Sequence, residues 1–319
     1  MRLNRWSMCL MLFGMFLFPA EAQEFAASGP AAVAAPSGYV GAFVVSASGR
    51  AWELYYDADG WHWADHGTPP GTSIEYRFTP SAVAAPSGYV GVFFVSSDGE
   101  LWERYYADGW YWADHGTPPG ASVAYKFTPS AVAAPSGYVG VFVVSSDRAL
   151  WERYYDDAWR WADHGSPPGG FVNSSPSAVA APSGYVGVWM TAGPHDSSNS
   201  GWERYYDGAW KWADHGSPPG GFVNYADGPS AVAAPSGYVG VFYMASVAEF
   251  ANELWEIYYA GGRSWLWAGH PPAGQMRRPS AVAAPSGYIG VFVTDGSRVR
   301  ERYYDGVWKW TDHGMPGSF

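Results

Sequence analysis

Short apolar segments separated by turn residues recur along the chain, and residues 80–128 show the pattern clearly. The segment Tyr89–Ser96 is apolar on both faces, as expected of a strand that is covered on both sides of a sheet. Asp98–Gly99 follows it and is a strong two-residue hairpin signal. Apolar positions with a helical period of 3.6 residues are not evident. The pattern predicts four antiparallel strands: Ser81–Ala85, Tyr89–Ser96, Leu101–Tyr106 and Trp110–His115.

The same unit occurs six times with a period of about 50 residues. Its opening phrase Pro-Ser-Ala-Val-Ala-Ala-Pro-Ser-Gly-Tyr starts at Pro80, Pro129, Pro176, Pro229 and Pro279, and a near copy starts at Pro30. Four short strands per unit favour a propeller blade. We therefore predict an all-β six-bladed β-propeller with four antiparallel strands per blade. The predicted repeats are 30–79, 80–128, 129–175, 176–228, 229–278 and 279–319.

The two ends of each predicted blade differ in chemistry. The first strand carries only small side chains, which suits the crowded position around a propeller axis. On the fourth strand Trp110 and Trp112 share one face, because side chains alternate along a strand. The residue between the two tryptophans changes from copy to copy, which indicates that this position faces solvent. We expect the outer strand to be half exposed, with its tryptophans facing neighbouring strands or the next blade.

The N-terminal residues have the pattern of a signal peptide. Arg2 and Arg5 precede the apolar run Cys9–Phe18, and Ala20–Ala22 provides a small-x-small cleavage site. The run is too short to span a bilayer, which needs about 20 residues. We predict a signal peptide at 1–22, cleavage after Ala22, and a secreted single domain at 23–319, extracellular or periplasmic. Whether Gln23–Gly29 adds a strand that closes the ring stays open.

Composition excludes several classes of function. The only cysteine, Cys9, lies in the predicted signal peptide, so the mature chain has no disulfide and no thiolate metal site. The net charge of −11 argues against nucleic acid and anionic membranes as partners. Aromatic residues make up 18% of the chain and include 19 tryptophans, an excess that a function has to explain.

The third strand carries the candidate binding residues. It reads Trp-Glu-Arg-Tyr-Tyr in three copies, and alternation places Trp102 and Arg104 on one face and Glu103 on the other. A Trp and an Arg on one blade, with a Glu from the next, predict a notch between blades that suits sugar rings and hydroxyls. The alternative is that the aromatics fill the core between blades while Glu and Arg pair across it. The complete sets are Trp102, Glu103, Arg104; Trp151, Glu152, Arg153; and Trp202, Glu203, Arg204.

The remaining copies depart from this set. Leu54 and Ile257 replace the Arg in copies one and five, and Arg300 replaces the Trp in copy six. We therefore expect fewer working sites than blades.

Catalytic and metal sites are disfavoured. An Asp-His-Gly-x-Pro segment recurs, as at Asp114 and His115, but its copies lie far apart around a ring and turn chemistry explains it better than a metal. Candidate acids and bases occur in nearly every copy, whereas an active site is a single asymmetric constellation. The few departures, His62, His195 and Glu249, have no evident partner. We predict a non-enzyme with no metal and no cofactor.

Variation between copies is confined to certain turns. The Pro-Ser-Gly turn is constant, whereas the turn between the second and third strands lengthens at Gly193–Gly201 and Val247–Glu253. The linker after the fourth strand also varies, for example Thr72–Thr79 against Gly170–Ser175. In a four-stranded blade this linker and the turn between the second and third strands lie on the same face of the propeller. This face suits a second hypothesis, a scaffold that binds a protein partner, while a glycan-processing enzyme is a third.

The run Val92–Arg104, followed by Tyr-Tyr and Trp-x-Trp, resembles the repeat of the PLL-like β-propeller lectins. More distantly, the repeat is similar to that of the fungal and bacterial fucose-binding propeller lectins. The resemblance implies glycan binding between blades, without catalysis. Carried over by position, the sugar-binding Glu of the fucose lectins falls on Glu53, Glu103, Glu152, Glu203, Glu256 and Glu301, and their stacking Trp on Trp61, Trp110, Trp159, Trp210, Trp265 and Trp308. Their Arg falls on Gly41, Gly91, Gly140, Gly187, Gly240 and Gly290 and is missing, so fucose is not implied.

Overall fold

The computed structural model describes Ala26 and residues 28–124, 126–194, 199–224, 228–247, 250–259, 264–271, 276–284, 286–295 and 298–314. These residues form six antiparallel sheets arranged as a six-bladed β-propeller, which confirms the predicted fold class. The predicted signal peptide, His195 and Glu249 lie outside the described residues. Among those described, no helix has the length and apolar character that crossing a bilayer requires.

The strands of the first three blades follow the predicted order from the axis outward. Blade 1 contains β1 (Ala31–Ala34), β2 (Val40–Val45), β3 (Ala51–Asp57) and β4 (Gly60–Gly67). Blade 2 contains β5 (Ser81–Ala84), β6 (Val90–Val95), β7 (Leu101–Tyr106) and β8 (Trp110–Gly116). Blade 3 contains β9 (Ser130–Ala133), β10 (Val139–Val144), β11 (Leu150–Asp156) and β12 (Ala158–Gly165).

The fourth and fifth blades carry one additional short strand each. Blade 4 contains β13 (Phe171–Val172), β14 (Ser177–Ala180), β15 (Val186–Gly193), β16 (Ser200–Tyr206) and β17 (Trp210–Asp214). Blade 5 contains β18 (Gly221–Val223), β19 (Ser230–Ala233), β20 (Val239–Val247), β21 (Phe250–Tyr259) and β22 (Trp265–Gly269). Blade 6 contains β23 (Arg277–Ala283), β24 (Ile289–Asp295), β25 (Arg298–Tyr304) and β26 (Trp308–Gly314).

The additional strands reveal what the linkers between blades do. β13 pairs with the far end of β15, and Ile74 forms a bridge with Ser96 at the corresponding place in blade 2. Each linker therefore pairs with the blade that follows it. Ala26 makes the same bridge with Ser46, so this part of the segment Gln23–Gly29 extends its own blade.

The first strands surround the axis. Their alanines and prolines, contributed by blades 1 to 5, line a cavity of about 450 Å³. Serine hydroxyls link these strands in series, since the Ala131 N–H donates to Ser81 Oγ at 2.8 Å and the Ala178 N–H donates to Ser130 Oγ at 2.9 Å. The small side chains predicted for this position allow that close approach.

The hydrophobic core lies between consecutive blades. In the interface of blades 2 and 3, Phe93 and Leu101 are fully buried and pack with the second strand of blade 3 and with Trp159 and Trp161. Equivalent clusters occur in each of the five interfaces between consecutive blades. The fourth-strand tryptophans thus face the neighbouring blade, as the alternation predicted.

The outward faces of blades 1 and 6 differ from this arrangement. Trp63 is 56% exposed, and the side chain of His313 is 46% exposed. Their counterparts at internal interfaces, Trp161 and His115, are half-buried and buried. Val40 is likewise exposed, whereas the equivalent Val90 is buried. The two end faces therefore lack the cover that every internal face has.

This contrast predicts unequal effects of the same substitution. Trp161→Ala removes packing against Arg153 and a hydrogen bond from Nε1 to the His115 carbonyl at 3.0 Å. We expect it to lower the free energy of unfolding by about 3 kcal/mol, a typical cost for removing a packed tryptophan. Trp63→Ala at the uncovered face should cost about 1 kcal/mol or less. Urea denaturation of both variants measures the difference, and equal losses would show that blade 1 is covered in solution.

Candidate functional site

A Tyr–Glu–His cluster with a buried glutamate occupies the same position in every blade. Glu103 is 2% exposed and accepts hydrogen bonds at both carboxylate oxygens. The Tyr89 hydroxyl donates to Oε1 at 2.5 Å, and His115 Nε2 lies 2.8 Å from Oε2. The six clusters are Tyr39–Glu53–His66, Tyr89–Glu103–His115, Tyr138–Glu152–His164, Tyr185–Glu203–His215, Tyr238–Glu256–His270 and Tyr288–Glu301–His313.

The cluster explains the glycine that stands where the fucose-lectin arginine aligns. The Tyr89 ring folds over Gly91, and a Cβ built on Gly91 would lie 2.1 Å from the tyrosine hydroxyl oxygen. Any side chain there displaces the hydroxyl from Glu103. The tyrosine hydroxyl thus occupies the space beside the carboxylate that a side chain at Gly91 would need. Burial, reinforced by the neighbouring glutamate, holds the pKa of Tyr89 well above its usual range.

The histidines of four clusters connect to an arginine of the next blade. Arg104 Nε of blade 2 donates to His66 Nδ1 of blade 1 at 3.2 Å. Because arginine can only donate, the ring proton of His66 lies on Nε2, which donates to Glu53. A neutral imidazole thereby bridges a guanidinium and a carboxylate. The same bridge joins Arg153 to His115, Arg204 to His164 and Arg302 to His270.

Tryptophans hold the arginine in place. The guanidinium carbon of Arg104 lies 5.3 Å from the centre of the Trp112 ring, within cation–π range. Trp112 Nε1 donates to the His66 carbonyl at 3.2 Å. Trp110 packs edge-on against the same histidine with ring centres 4.9 Å apart. These contacts make one inter-blade notch, which we define for blades 1 and 2 by His66, Arg104, Tyr106, Trp110 and Trp112.

The rim of the notch is aromatic and accessible. Tyr106 is 48% exposed and contacts Trp110 with ring centres 5.6 Å apart. Corresponding exposed tyrosines follow in the other blades: Tyr56, Tyr155, Tyr206, Tyr259 and Tyr304. Notches with an arginine therefore occur between blades 1 and 2, 2 and 3, 3 and 4, and 5 and 6.

The interface of blades 4 and 5 is filled in a different way. Ile257 stands in place of the arginine and is buried. Trp189 stands in place of the phenylalanine found in the other blades, is fully buried, and packs against His215 with ring centres 4.7 Å apart. Trp189 Nε1 donates to the Tyr185 hydroxyl at 3.1 Å. The larger ring and the apolar Ile257 therefore fill this interface without a guanidinium.

The structure brings several of the predicted site residues together between consecutive blades. Arg and Trp of one blade do face the Glu of the preceding blade. The six glutamates, however, lie beneath the histidines, and their carboxylate oxygens are hydrogen-bonded to the tyrosine and the histidine of the same blade. Trp151 and Trp202 join the inter-blade core, and Trp102 is buried beside Glu100. Trp61 lies on the uncovered face of blade 1, outside any notch between consecutive blades.

The histidine is the residue whose role sequence reasoning missed. Turn chemistry accounts for the aspartate of the Asp-His segment, since Asp114 Oδ1 accepts the Gly116 N–H at 2.7 Å. It does not account for His115, which joins two blades. The signal was present in the copies, because tyrosine, glycine, glutamate and histidine recur together in all six. Among the described residues no cluster suited to a metal ion is found, and His62 pairs only locally with Asp57.

No family model and no curated protein matches this chain. Solved structures do match. The BP39L lectin from Burkholderia pseudomallei superposes with a TM-score of 0.64 at 19% identity, covering 86% of this chain and 79% of that one. The Aleuria aurantia lectin, described as a six-bladed β-propeller that recognises fucose, gives 0.57 at 16%, with 92% and 97% covered.

An enzyme shares the architecture too. The α-L-arabinanase of Penicillium chrysogenum, solved with arabinobiose, gives a TM-score of 0.60 at 15% identity, with 86% and 92% covered. At these identities the likeness concerns the fold. The chain is a six-bladed β-propeller of the architecture found in propeller lectins.

Proposed function

We propose that this protein is a secreted, multivalent lectin that binds glycans in the notches between consecutive blades. The observation that carries the proposal is the recurrence of one arrangement at four interfaces. Each notch offers a half-exposed arginine and an exposed tyrosine beside a tryptophan. Sugars suit such a surface, because their C–H faces stack on aromatic rings and their oxygens accept hydrogen bonds from arginine.

Multivalency follows from the rigid spacing of the notches. A single sugar in a shallow notch binds weakly, but four notches on one rigid body raise the avidity by about 10²-fold or more on a dense glycan surface. The interface of blades 4 and 5, which has no arginine, is not counted as a binding site. Titration with a monovalent ligand should therefore give a stoichiometry near four.

A catalytic function is not part of the proposal. Glycoside hydrolysis needs two carboxyl groups that flank the scissile bond. The six glutamates of the Tyr–Glu–His clusters are buried and held by tyrosine and histidine, in the same way in each copy. The likeness to an arabinanase is thus a likeness of fold, and release of reducing ends from a polysaccharide by the purified chain would refute the non-catalytic assignment.

A glycan array probed with residues 23–319 tests the lectin proposal. Binding to a coherent set of glycans supports it. A blank array with folded protein would favour the second hypothesis, a protein partner at the variable loops. Secretion is tested separately, by expressing the full chain and sequencing the N-terminus of any exported product, which should begin at Gln23.

The rim tyrosines allow a matched mutational test. Replacing Tyr106, Tyr155, Tyr206 and Tyr304 by Ala removes the exposed ring from all four Arg-bearing notches. We expect about tenfold weaker binding per site, the equivalent of about 1.4 kcal/mol of stacking energy. Tyr56→Ala and Tyr259→Ala, at positions without a complete notch, should leave binding unchanged. Equal effects of both sets on titrations monitored by tryptophan fluorescence would place the glycan elsewhere.

A further inference from the structure

The arginines of the four notches have unused hydrogen-bond donors. A guanidinium carries five N–H groups, and Arg104 uses only Nε, which donates to His66 Nδ1. Within the described part of the chain, its Nη groups have no protein acceptor. The same holds for Arg153, Arg204 and Arg302, each bound through Nε alone. Each notch therefore presents a planar fork with free N–H groups.

At the interfaces of blades 1 and 2, 2 and 3, and 3 and 4, the acceptors around the guanidinium are already occupied. Glu53 accepts from Tyr39 and from His66, His66 Nδ1 accepts from Arg104, and the His66 carbonyl accepts from Trp112. The notch consequently has donors to offer and few acceptors. A neutral sugar brings hydroxyl groups that must donate as well as accept, whereas a carboxylate only accepts. This surplus of hydrogen-bond donors in the notch favours a ligand that is rich in hydrogen-bond acceptors.

The charge of the arginine is only partly compensated inside the notch. Burial lowers the pKa of the Arg104 guanidinium, and Glu53 acts in the opposite direction from the far side of the imidazole. In the next notch burial also lowers the pKa of Arg153, and the charge of Asp114 acts in the opposite direction. Oδ1 of Asp114 already accepts the Gly116 N–H. No carboxylate forms a direct ion pair with any of the four guanidinium groups among the described residues. An anionic group on a ligand would supply the missing partner.

We propose that the four Arg-bearing notches recognise sugars that carry a carboxylate, such as uronic or sialic acids. The carboxylate accepts two parallel hydrogen bonds from the arginine fork, the geometry in which arginine binds carboxylates most strongly. The sugar ring lies against the exposed Tyr106 and the edge of Trp110. This inference rests on the proposed lectin function and specifies its ligand class. The interface of blades 4 and 5, with Ile257 in place of the arginine, takes no such ligand.

Calorimetric titration of residues 23–319 with methyl β-D-glucuronide and methyl β-D-glucoside tests the inference, because these ligands differ only in the carboxylate. We expect the glucuronide to bind at least tenfold tighter, at about four sites, and more weakly as salt is raised. The fourfold variant R104Q/R153Q/R204Q/R302Q should lose this preference, while Arg160→Gln, which removes an exposed arginine paired with Asp156, should keep it. Circular dichroism and a melting curve establish that the variants are folded.

The other outcomes distinguish a failure of the acidic-sugar inference from a failure of the lectin proposal. Equal or tighter binding of the glucoside overturns the acidic-sugar inference and leaves the lectin proposal intact. Binding of neutral glycans on the array with no response to glucuronide or N-acetylneuraminic acid does the same. A preference for glucuronide that survives the fourfold substitution overturns the arginine assignment. If the array is blank and no sugar binds, the lectin function itself is refuted.

Discussion

Glu152→Ala is expected to lower the free energy of unfolding by about 3–5 kcal/mol, the cost of leaving buried partners of a charged group without their acceptor. Glu152 is buried and accepts from the Tyr138 hydroxyl at 2.5 Å and from His164 Nε2 at 2.8 Å. Through His164 it also fixes Arg204 of the next blade. Its loss leaves a buried hydroxyl and the Nε2–H of a buried imidazole without an acceptor, and it loosens the contact between two blades. Urea denaturation measures the effect.

Glu301 is the matched control, since it makes the same pair of contacts in blade 6. There the histidine side chain is 46% exposed, so water can replace the lost acceptor. We expect Glu301→Ala to cost less than half as much as Glu152→Ala. A loss below about 1 kcal/mol for Glu152→Ala would mean that the cluster does not stabilise the fold.

The second large effect is a loss of stability at alkaline pH. Burial, with a contribution from the paired glutamate, raises the pKa values of Tyr89, Tyr138, Tyr185 and Tyr238 well above the usual value of 10. Above pH 10 the unfolded chain releases these protons while the native chain keeps them. The native state then binds more protons than the unfolded state, so stability is complete below pH 10 and falls as the pH rises. Each such tyrosine contributes a loss of about 1.4 kcal/mol per pH unit.

Equilibrium unfolding at several pH values between 9 and 11.5, with tyrosinate absorbance recorded in parallel, checks this prediction. Tyrosinate should form together with unfolding. Tyr288, only partly buried at the uncovered face of blade 6, has a pKa raised only to about 12 by partial burial and its bond to Glu301. Its contribution to the loss of stability should therefore span a narrower pH range. Stability that stays constant up to pH 11.5 would contradict the buried Tyr–Glu pairs.

Local pattern was sufficient to predict the blade. The strand predicted at Leu101–Tyr106 is β7 to the residue, and that predicted at Tyr89–Ser96 exceeds β6 by one residue at each end. Hairpin turns and the alternation of side chains are properties of neighbouring residues, so they can be predicted from the sequence itself. The repeat then fixed the number of blades, because each unit forms one sheet.

The candidate site could be predicted only in part, because it joins residues that are distant in the sequence. The notch joins Arg104 to His66, which are 38 residues apart, and Trp112 to the His66 carbonyl, 46 residues away. Pattern identified the aromatic and charged residues, but not that Glu103 turns inward to Tyr89 and His115. That choice depends on Gly91, which leaves room for a hydroxyl, and this is a fact of packing.

Sequence by itself determined the repeat, the strands, the faces of each strand and the residue types that meet between blades. Only the tertiary structure decided which of those residues are buried and which stay accessible. Burial of the glutamates, exposure of the rim tyrosines and filling of one interface by Trp189 all depend on how closely two blades approach. The uncovered faces of blades 1 and 6 depend on the same contact. Distances between sheets are set by the packing of side chains distant in sequence, and that information is not carried by the periodicity of any single strand.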